Sequence, residues 1–340
     1  MKSPLLITVL ISVVGSAAVA AAAAPSAATP QRRAETYAVQ LGTHRFGHVA
    51  SPAAVVAKAA AGQVGFPSEG SCCGPNSFEV ARDGSAWVLD GGNQRLVVWK
   101  RGQPNRIAQT IALPKDCCED FALARGGIYV TQSGIPTHPL NFLYRLKPDG
   151  KAVWRATLAA QGFPVPLRVG PDGRLYSVYA RRWQPAATRA GNPLTVAGQR
   201  RGATRSQPIA GGRRLVSEIH AHQARFDLLD RSGRMVRRWR VSSRTRLEPV
   251  LEATPALVRG DPVVFMTVWT QKRFRWEYLV LRLAPTASGT RARVSLGHRS
   301  PLAGWGDMVT DLRVGPDGAL YQLGTSPQTG LSIRRYSLGG

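Results

Sequence analysis

A short β-rich pattern built around Asp-Gly returns along this chain and constrains its fold more than any other feature. The clearest copy is Glu79–Trp99, EVARDGSAWVLDGGNQRLVVW, in which apolar runs alternate with Gly-containing turns. The further copies are VGPDGRLYSV at Val169–Val178, VGPDGALYQL at Val314–Leu323 and the degenerate LARGGIYVTQ at Leu123–Gln132. Asp83 lies 43 residues before Gly126 and 89 residues before Asp172, about two such units. Strand-rich units of roughly 40–45 residues predict the blades of a β-propeller.

Turn signals divide most of the chain into five candidate blades. They are Gly74–Leu113, Glu119–Leu158, Pro164–Val241, Leu247–Gly297 and Asp307–Leu338. The last blade supplies only three strands, so we expect the alternating segment Glu35–Leu41 to add the fourth and close the ring. An arginine-rich insertion at 181–218 lengthens the third blade. A sixth blade, if present, would be formed by this insertion together with part of 42–70. The predicted fold class is all-β, a propeller closed by an N-terminal strand that joins the last blade.

The first 24 residues have the features of a secretory signal peptide. Lys2 provides a positive start, Leu5–Val14 an apolar core, and Ser16–Ala24 a stretch rich in small residues. We expect a flexible linker at 25–33 and the propeller domain at 34–340. The protein is therefore expected to be secreted or associated with the cell envelope, with an uncleaved anchor as the alternative.

The chain is strongly basic, with a formal net charge of +25 and 45 basic residues, of which 38 are arginine. Such a charge favours anionic partners. The alternative is that the composition of a high-GC genome enriched the chain in arginine without any binding role. The insertion concentrates this charge, and its candidate polyanion-binding residues are Arg181, Arg182, Arg200, Arg201, Arg205, Arg213 and Arg214. The alternative is a solvated loop. Aromatic residues are sparse there, so specific nucleic-acid binding is not expected.

Four cysteines occur as two vicinal pairs, Cys72-Cys73 and Cys117-Cys118. Each pair stands just before the first strand of a predicted blade, so the pairs are expected to be neighbours around the channel. In an exported protein this arrangement favours one or two disulfides between the pairs. Two vicinal disulfides and a soft-metal thiolate site are the alternatives.

The segment Gly74–Trp99 resembles an NHL repeat. The matching residues are Gly74, Pro75, Asp83, Gly84, Trp87, Val88, Asp90, Asn93, Arg95, Val97 and Trp99. The match is good over this one repeat and partial at Val169–Val178 and Val314–Leu323. The resemblance implies a six-bladed propeller. It implies no single function, since such propellers serve as binding scaffolds, lactonases, lyases and sugar dehydrogenases.

The gluconolactonase and regucalcin-like enzymes share this architecture and hold a divalent metal in the central channel. Their metal ligands stand at the starts of innermost strands, where this chain has Asn76, Glu119, Asp120 and Asp311. The resemblance therefore implies a cation such as calcium, which prefers several oxygen ligands. The chain departs from the family pattern because Cys73 lies near the position of the family's glutamate. Strand-start capping by the same side chains is the alternative.

No complete catalytic motif is present: the sequence contains no Gly-x-Ser-x-Gly, no P-loop and no HExxH. We therefore expect a monomeric binding or scaffold module for a protein or carbohydrate ligand, with an anionic envelope polymer as a further partner. The alternative is a metal-dependent lactonase- or lyase-like enzyme with its site in the channel.

Overall fold

Short strands joined by tight turns make up most of the described chain, as the repeated pattern predicts. The computed structural model describes residues 34–60, 62–65, 75–115, 119–132, 141–159, 165–170, 172–179, 182–201, 203–250, 255–270, 275–297, 311–326 and 330–339. The strands form six small sheets arranged as a six-bladed β-propeller. The prediction of an all-β propeller is confirmed.

Each blade is formed mainly by consecutive strands. Two strands precede the blades, β1 (Glu35–Gln40) and β2 (Ala54–Ala59). Blade 1 contains β3 (Pro75–Val80), β4 (Ala86–Asp90), β5 (Arg95–Trp99) and β6 (Ile107–Ala112). Blade 2 contains β7 (Phe121–Ala124), β8 (Gly127–Gln132), β9 (Phe142–Leu146) and β10 (Ala152–Thr157). Blade 3 contains β11 (Leu167–Val169), β12 (Leu175–Tyr179) and β13 (Arg182–Ala187), and the helix α1 (Val196–Arg201) follows.

The second half of the ring follows the same plan. Blade 4 contains β14 (Gln207–Ile209), β15 (Arg213–His220), β16 (Gln223–Leu229) and β17 (Met235–Ser242). Blade 5 contains β18 (Arg246–Pro249), β19 (Ala256–Val258), β20 (Asp261–Thr270), β21 (Arg275–Leu283) and β22 (Thr290–Gly297). Blade 6 contains β23 (Leu312–Val314), β24 (Leu320–Ser326) and β25 (Gly330–Tyr336). In the described part of the chain, no helix is long and apolar enough to cross a membrane.

The Asp-Gly pairs form the turns between the first and second strands of several blades. Asp83 Oδ1 accepts a hydrogen bond from Ser85 N at 2.9 Å, and Asp172 and Asp317 accept in the same way from the amide two residues on. The glycine after each of these aspartates has a φ between 76° and 82°, which favours glycine. The aspartates are therefore turn residues, as the sequence predicts.

The VGPDG motif also packs a tyrosine against its own turn. A Cβ on Gly170 would lie 2.5 Å from the Tyr176 ring, so only glycine fits under the ring. The Tyr176 hydroxyl donates to Asp172 Oδ2 at 2.8 Å. Blade 6 repeats this arrangement with Gly315, Asp317 and Tyr321. The motif is thus a self-contained turn whose contacts lie within a few residues of one another.

An N-terminal strand completes blade 6, but it is not the predicted one. The antiparallel partner of β25 is β2, and its inward residues Ala57 and Ala59 are buried in a core with Phe78, Trp99 and Tyr321. The prediction that Glu35–Leu41 closes the last blade is wrong. β1 instead pairs in parallel with β17 as a fifth strand of blade 4.

Residues 34–59 follow the outside of three consecutive blades. Between β1 and β2, His44 Nε2 lies 2.7 Å from Glu277 Oε2 in blade 5, and this pair is buried. Gly47 N donates to Glu277 Oε1 at 2.6 Å. Ala50 N donates to Ser295 O, also in blade 5, at 2.8 Å. The segment therefore connects blades 4, 5 and 6 from the outside.

The segment predicted as one long blade, Pro164–Val241, is two blades. The predicted insertion at 181–218 supplies β13, α1, β14 and most of β15, and it contains the boundary between blades 3 and 4. The predicted sixth blade, which is blade 4 of the ring, thus takes its first strands from the insertion, as predicted, but the part of 42–70 that was expected to join it, β2, belongs to blade 6 with β23–β25. In blade 4, β14 has only three residues and β15 is rich in arginine and other polar residues. Neither strand therefore shows the apolar alternation from which strands are predicted.

Candidate functional site at the channel mouth

The first strands of the blades end around one cavity of about 990 Å³. β3 contacts β7, and β7 contacts β11, so these first strands are neighbours around the ring. Blades 1, 2, 3, 4 and 6 contribute lining residues at the end of their first strands or in the following turns, and blade 5 contributes Pro255 and the start of β19. The volume is within the range of small-molecule sites. The cavity is therefore the candidate functional site of this propeller.

Asp120 anchors the charged part of the channel. It lies directly before β7 and is completely buried. Its Oδ2 accepts hydrogen bonds from Arg168 Nη1 and Leu167 N, both at 2.7 Å. Its Oδ1 accepts from Phe121 N at 2.8 Å and from the Ser77 hydroxyl. These donors stabilise a buried carboxylate.

Arg313 joins three blades of the ring. This residue of β23 places Nη1 3.3 Å from Glu79 Oε1 in blade 1. Its Nη2 lies 3.6 Å from Asp120 Oδ1 in blade 2, and its Nε donates to Phe78 O. Glu79 Oε2 in turn accepts a hydrogen bond from Leu123 N at 2.9 Å. Blades 6, 1, 2 and 3 thus share one network of two arginines and two carboxylates.

The electrostatics of this network follow from burial. Loss of solvation raises the pKa of Glu79 above its ordinary value, against the attraction of Arg313. Burial lowers the pKa of Arg168 to about 10, and the positive charge of Arg313 adds to that effect while Asp120 opposes it. Arg313 Nη2 is buried and has no hydrogen-bond partner in the described part of the structure. The two charges of each sign balance within the network, but this guanidinium nitrogen lies 3.6 Å from Asp120 Oδ1 and has no acceptor at hydrogen-bond distance.

Three more arginines line the same cavity: Arg82 after β3, Arg125 after β7 and Arg189 after β13. All three side chains are exposed, and no ion pair joins them to the described residues. Asp172 also lines the cavity, but its carboxylate accepts from its own turn and from a tyrosine. Positive charge therefore exceeds negative charge at this side of the cavity.

The opposite side of the cavity is apolar. Blade 4 contributes Pro208, Ile209 and Ala210, and blade 5 contributes Pro255, Ala256 and Leu257. None of these six lining residues carries a charge. The cavity thus has a charged wall from blades 6, 1, 2 and 3 and an uncharged wall from blades 4 and 5.

The residues predicted to hold a metal lie at strand starts, as expected. Asp311 precedes β23 as Asp120 precedes β7, and both are buried. Glu119 is buried, and its Oε2 accepts from Val165 N at 3.3 Å. The described residues contain no group of three His, Cys, Asp or Glu that could hold a metal ion. Asp120 is engaged in an ion pair with Arg168. Asn76 lies in β3, but its side chain is not among those that the structure describes. The metal site therefore stays a prediction.

Two other predicted sites lie wholly or partly outside the described residues. Cys72, Cys73, Cys117 and Cys118 all fall outside, so their disulfides stay a prediction. Arg181 does also. The remaining members of the predicted polyanion-binding set are exposed: Arg182, Arg200, Arg201, Arg205, Arg213 and Arg214. None of them lines the cavity.

The charged residues of the cavity were missed at the level of sequence, although a signal was present. The heptapeptide LRVGPDG occurs twice, at 167–173 and 312–318, and its second residue is Arg168 or Arg313. Alignment on the turn places Glu79 of FEVARDG at the same repeat position. Arg82 and Arg125 share a second position, just before the turn. A charged residue recurring at one repeat position, in strands that converge on an axis, indicates a shared site.

No protein-family model and no curated protein sequence matches the chain. Its backbone is similar to those of solved enzymes. The PQQ-bound aldose sugar dehydrogenase from Streptomyces coelicolor is 14% identical with a TM-score of 0.44, and the match covers 84% of this chain and 98% of that one. A catalytically inactive virginiamycin B lyase from Staphylococcus aureus with quinupristin is 9% identical with a TM-score of 0.42, over 80% and 98%. The luciferin-regenerating enzyme is 10% identical with a TM-score of 0.41, over 78% and 91%. These likenesses concern the fold alone.

Proposed function

We propose that this protein is a non-enzymatic binding propeller that takes its ligand in the cavity at the ends of the first strands. The observation that carries the proposal is the cavity itself, which all six blades line. Its charged wall is held by the buried Arg168–Asp120 pair and the partly buried Arg313–Glu79 pair. Side chains that are already fixed lose little conformational entropy on binding, which favours affinity. The signal-peptide features of residues 1–24 support a place of action outside the cell or at the envelope.

A metal-dependent lactonase- or lyase-like enzyme is the alternative, and it has less support. Its central ligand would be Asp120, whose two oxygens already accept from two backbone amides, a hydroxyl and Arg168. A cation such as calcium would have to displace an adjacent guanidinium. Calcium titration by calorimetry tests this alternative, since binding that Asp311→Ala removes would favour the enzyme.

Thermal-shift screening of the purified protein against a ligand library tests the binding proposal. The variant Ala256→Trp fills the apolar side of the cavity with an indole. Ala152→Trp is the matched control, because Ala152 is exposed on β10 and does not line the cavity. We expect ligands that stabilise the wild type and the control but not Ala256→Trp. Ligands that stabilise all three proteins equally, or none at all, would contradict a cavity site.

A further inference from the structure

The cavity has two chemically different walls, and this asymmetry restricts what it can hold. Arginines outnumber carboxylates five to two among the lining residues. Both carboxylates, Glu79 and Asp172, already have donors of their own. The uncharged residues of blades 4 and 5 face the same space. We propose, on the basis of the binding function above, that the ligand is an amphiphilic organic anion with a phosphate or carboxylate head and an apolar body.

The anionic head belongs at the arginine side of the cavity. Arg82 and Arg125 are exposed and make no ion pair with described residues, so they can turn toward a ligand without breaking existing contacts. Arg313 is 13% exposed and is held in place by Glu79 and by Phe78 O. A planar guanidinium binds phosphate and carboxylate groups through paired hydrogen bonds. One fixed and two exposed guanidinium groups thus provide the donors that an anionic head requires.

The buried network explains why an anion, and not a cation, is selected. Asp120 is already neutralised by Arg168 and lies close to Arg313, so it offers no unused charge to a cation. Arg313 Nη2 is buried and forms a 3.6 Å ion pair with Asp120 Oδ1, but no described residue accepts a hydrogen bond from it. A buried donor without a partner is costly, and a ligand oxygen would relieve that cost. The polar group of this network that lacks a hydrogen-bond partner is therefore an N–H donor, which pairs with an anion and not with a cation.

The apolar body belongs against blades 4 and 5. Ile209 is buried at the end of β14, and Leu257 in β19 is partly buried in the core of these blades. Two prolines and two alanines complete this wall and present no side-chain donor or acceptor. A hydrocarbon or aromatic group gains binding free energy in proportion to the apolar area that it buries there. A bare inorganic anion would leave this wall in contact with water and gain none of that energy.

Calorimetric titration with three probes tests the proposal: octyl phosphate, inorganic phosphate and 1-octanol. We expect octyl phosphate to bind the full-length protein at least about tenfold more tightly than either of the other two, because only it satisfies both walls. The double variant Arg82→Ala/Arg125→Ala should weaken octyl phosphate by about tenfold or more, and Leu257→Ser should weaken it by about fivefold. Arg106→Ala, an exposed arginine outside the cavity, is the control and should leave the affinity unchanged.

Any of three results would overturn this inference. If inorganic phosphate or 1-octanol binds as tightly as octyl phosphate, one wall alone determines binding. If octyl phosphate does not bind while a neutral or cationic ligand binds and is excluded by Ala256→Trp, the ligand class is wrong but the binding function stands. If no ligand is excluded by Ala256→Trp, the proposed function fails together with the inference.

Discussion

At the scale of single residues, the buried pair of Arg168 and Asp120 is the most consequential contact of the channel. Both side chains are almost completely shielded from solvent, at 2% and 0% relative exposure, and their closest atoms lie 2.7 Å apart. In such a pair, the attraction between the two charges offsets the large cost of removing both from water, so the intact pair contributes little net stability. Removing one partner leaves the other charge buried and unpaired, which strongly destabilises the protein. The pair therefore fixes the position of blades 2 and 3 more than it stabilises them.

We expect Arg168→Ala to lower the free energy of unfolding by about 3–5 kcal/mol, because it removes the closest cation and a hydrogen bond from the buried Asp120 carboxylate. Urea denaturation followed by circular dichroism measures this loss. Arg174→Ala is the matched control: Arg174 is exposed and lies 3.8 Å from Asp172, so its removal should change stability by less than about 1 kcal/mol. Equal effects of the two substitutions would show that the buried pair is not structurally important.

Glu79 gives the channel a dependence on pH. Its pKa in the folded protein lies above the ordinary value of 4.5, because burial disfavours the charged carboxylate. The stabilising contribution of this group is fully present below about pH 4.5 and is lost as the pH rises through the folded pKa. We expect a ¹³C NMR titration of the Glu79 carboxyl to show that raised pKa. Unfolding of Glu79→Gln should lack this part of the pH dependence, and a midpoint at or below 4.5 would contradict the expectation.

At the scale of elements, the local sequence pattern predicts the turns but does not predict which strands pair. The turn motif VGPDG is recognisable from sequence because its hydrogen bonds join residues two to four positions apart. The partner of β1 is not recognisable in this way. The alternating pattern of β1 is compatible with the outer edge of blade 4 and with that of blade 6. In the structure it pairs with blade 4, where Tyr37 stacks on Trp239 with ring centroids 5.9 Å apart. β2 was not predicted as a strand because alanine, its main component, is a poor strand former.

The helix α1 and the residues that follow it carry five of the six exposed arginines of the predicted polyanion surface. We expect the triple variant Arg200→Ala/Arg201→Ala/Arg205→Ala to elute from heparin at lower salt than the wild type, because the removed charges are exposed and make no ion pair with described residues. A triple substitution of equal charge elsewhere, Arg101→Ala/Arg106→Ala/Lys151→Ala, is the control. If both variants shift equally, retention reflects the net charge of the whole protein and not a local site.

At the scale of the whole molecule, the N-terminal segment holds the ring closed. β2 pairs with β25 along its length, and the core between blades 6 and 1 contains its two inward alanines. Without β2, the outer edge of β25 would present unpaired amide and carbonyl groups to other chains. The connection of blades 4, 5 and 6 through residues 34–59 is lost at the same time.

We therefore expect removal of residues 1–60 to abolish cooperative thermal unfolding and to cause aggregation, as seen by calorimetry and size-exclusion chromatography. Removal of residues 1–33 is the control, because β1, β2 and the intervening contacts all remain. A truncation at residue 60 that still unfolds cooperatively at the wild-type temperature would show that β2 is dispensable for closure.

The sequence by itself determined the class of fold, the turns and most strands of blades 1, 2, 5 and 6, because each depends on contacts between residues close in the chain. The six blades that the resemblance to NHL repeats implies are confirmed. Only the tertiary structure decided where the sixth blade lies, which strand closes the ring and which residues form the charged cavity. Arg168 and Asp120 are 48 residues apart, and Arg313 and Phe78 are 235 apart. The period-2 alternation of a strand predicts which face of the sheet a side chain occupies. The neighbours that it meets across the channel depend on how the whole ring closes.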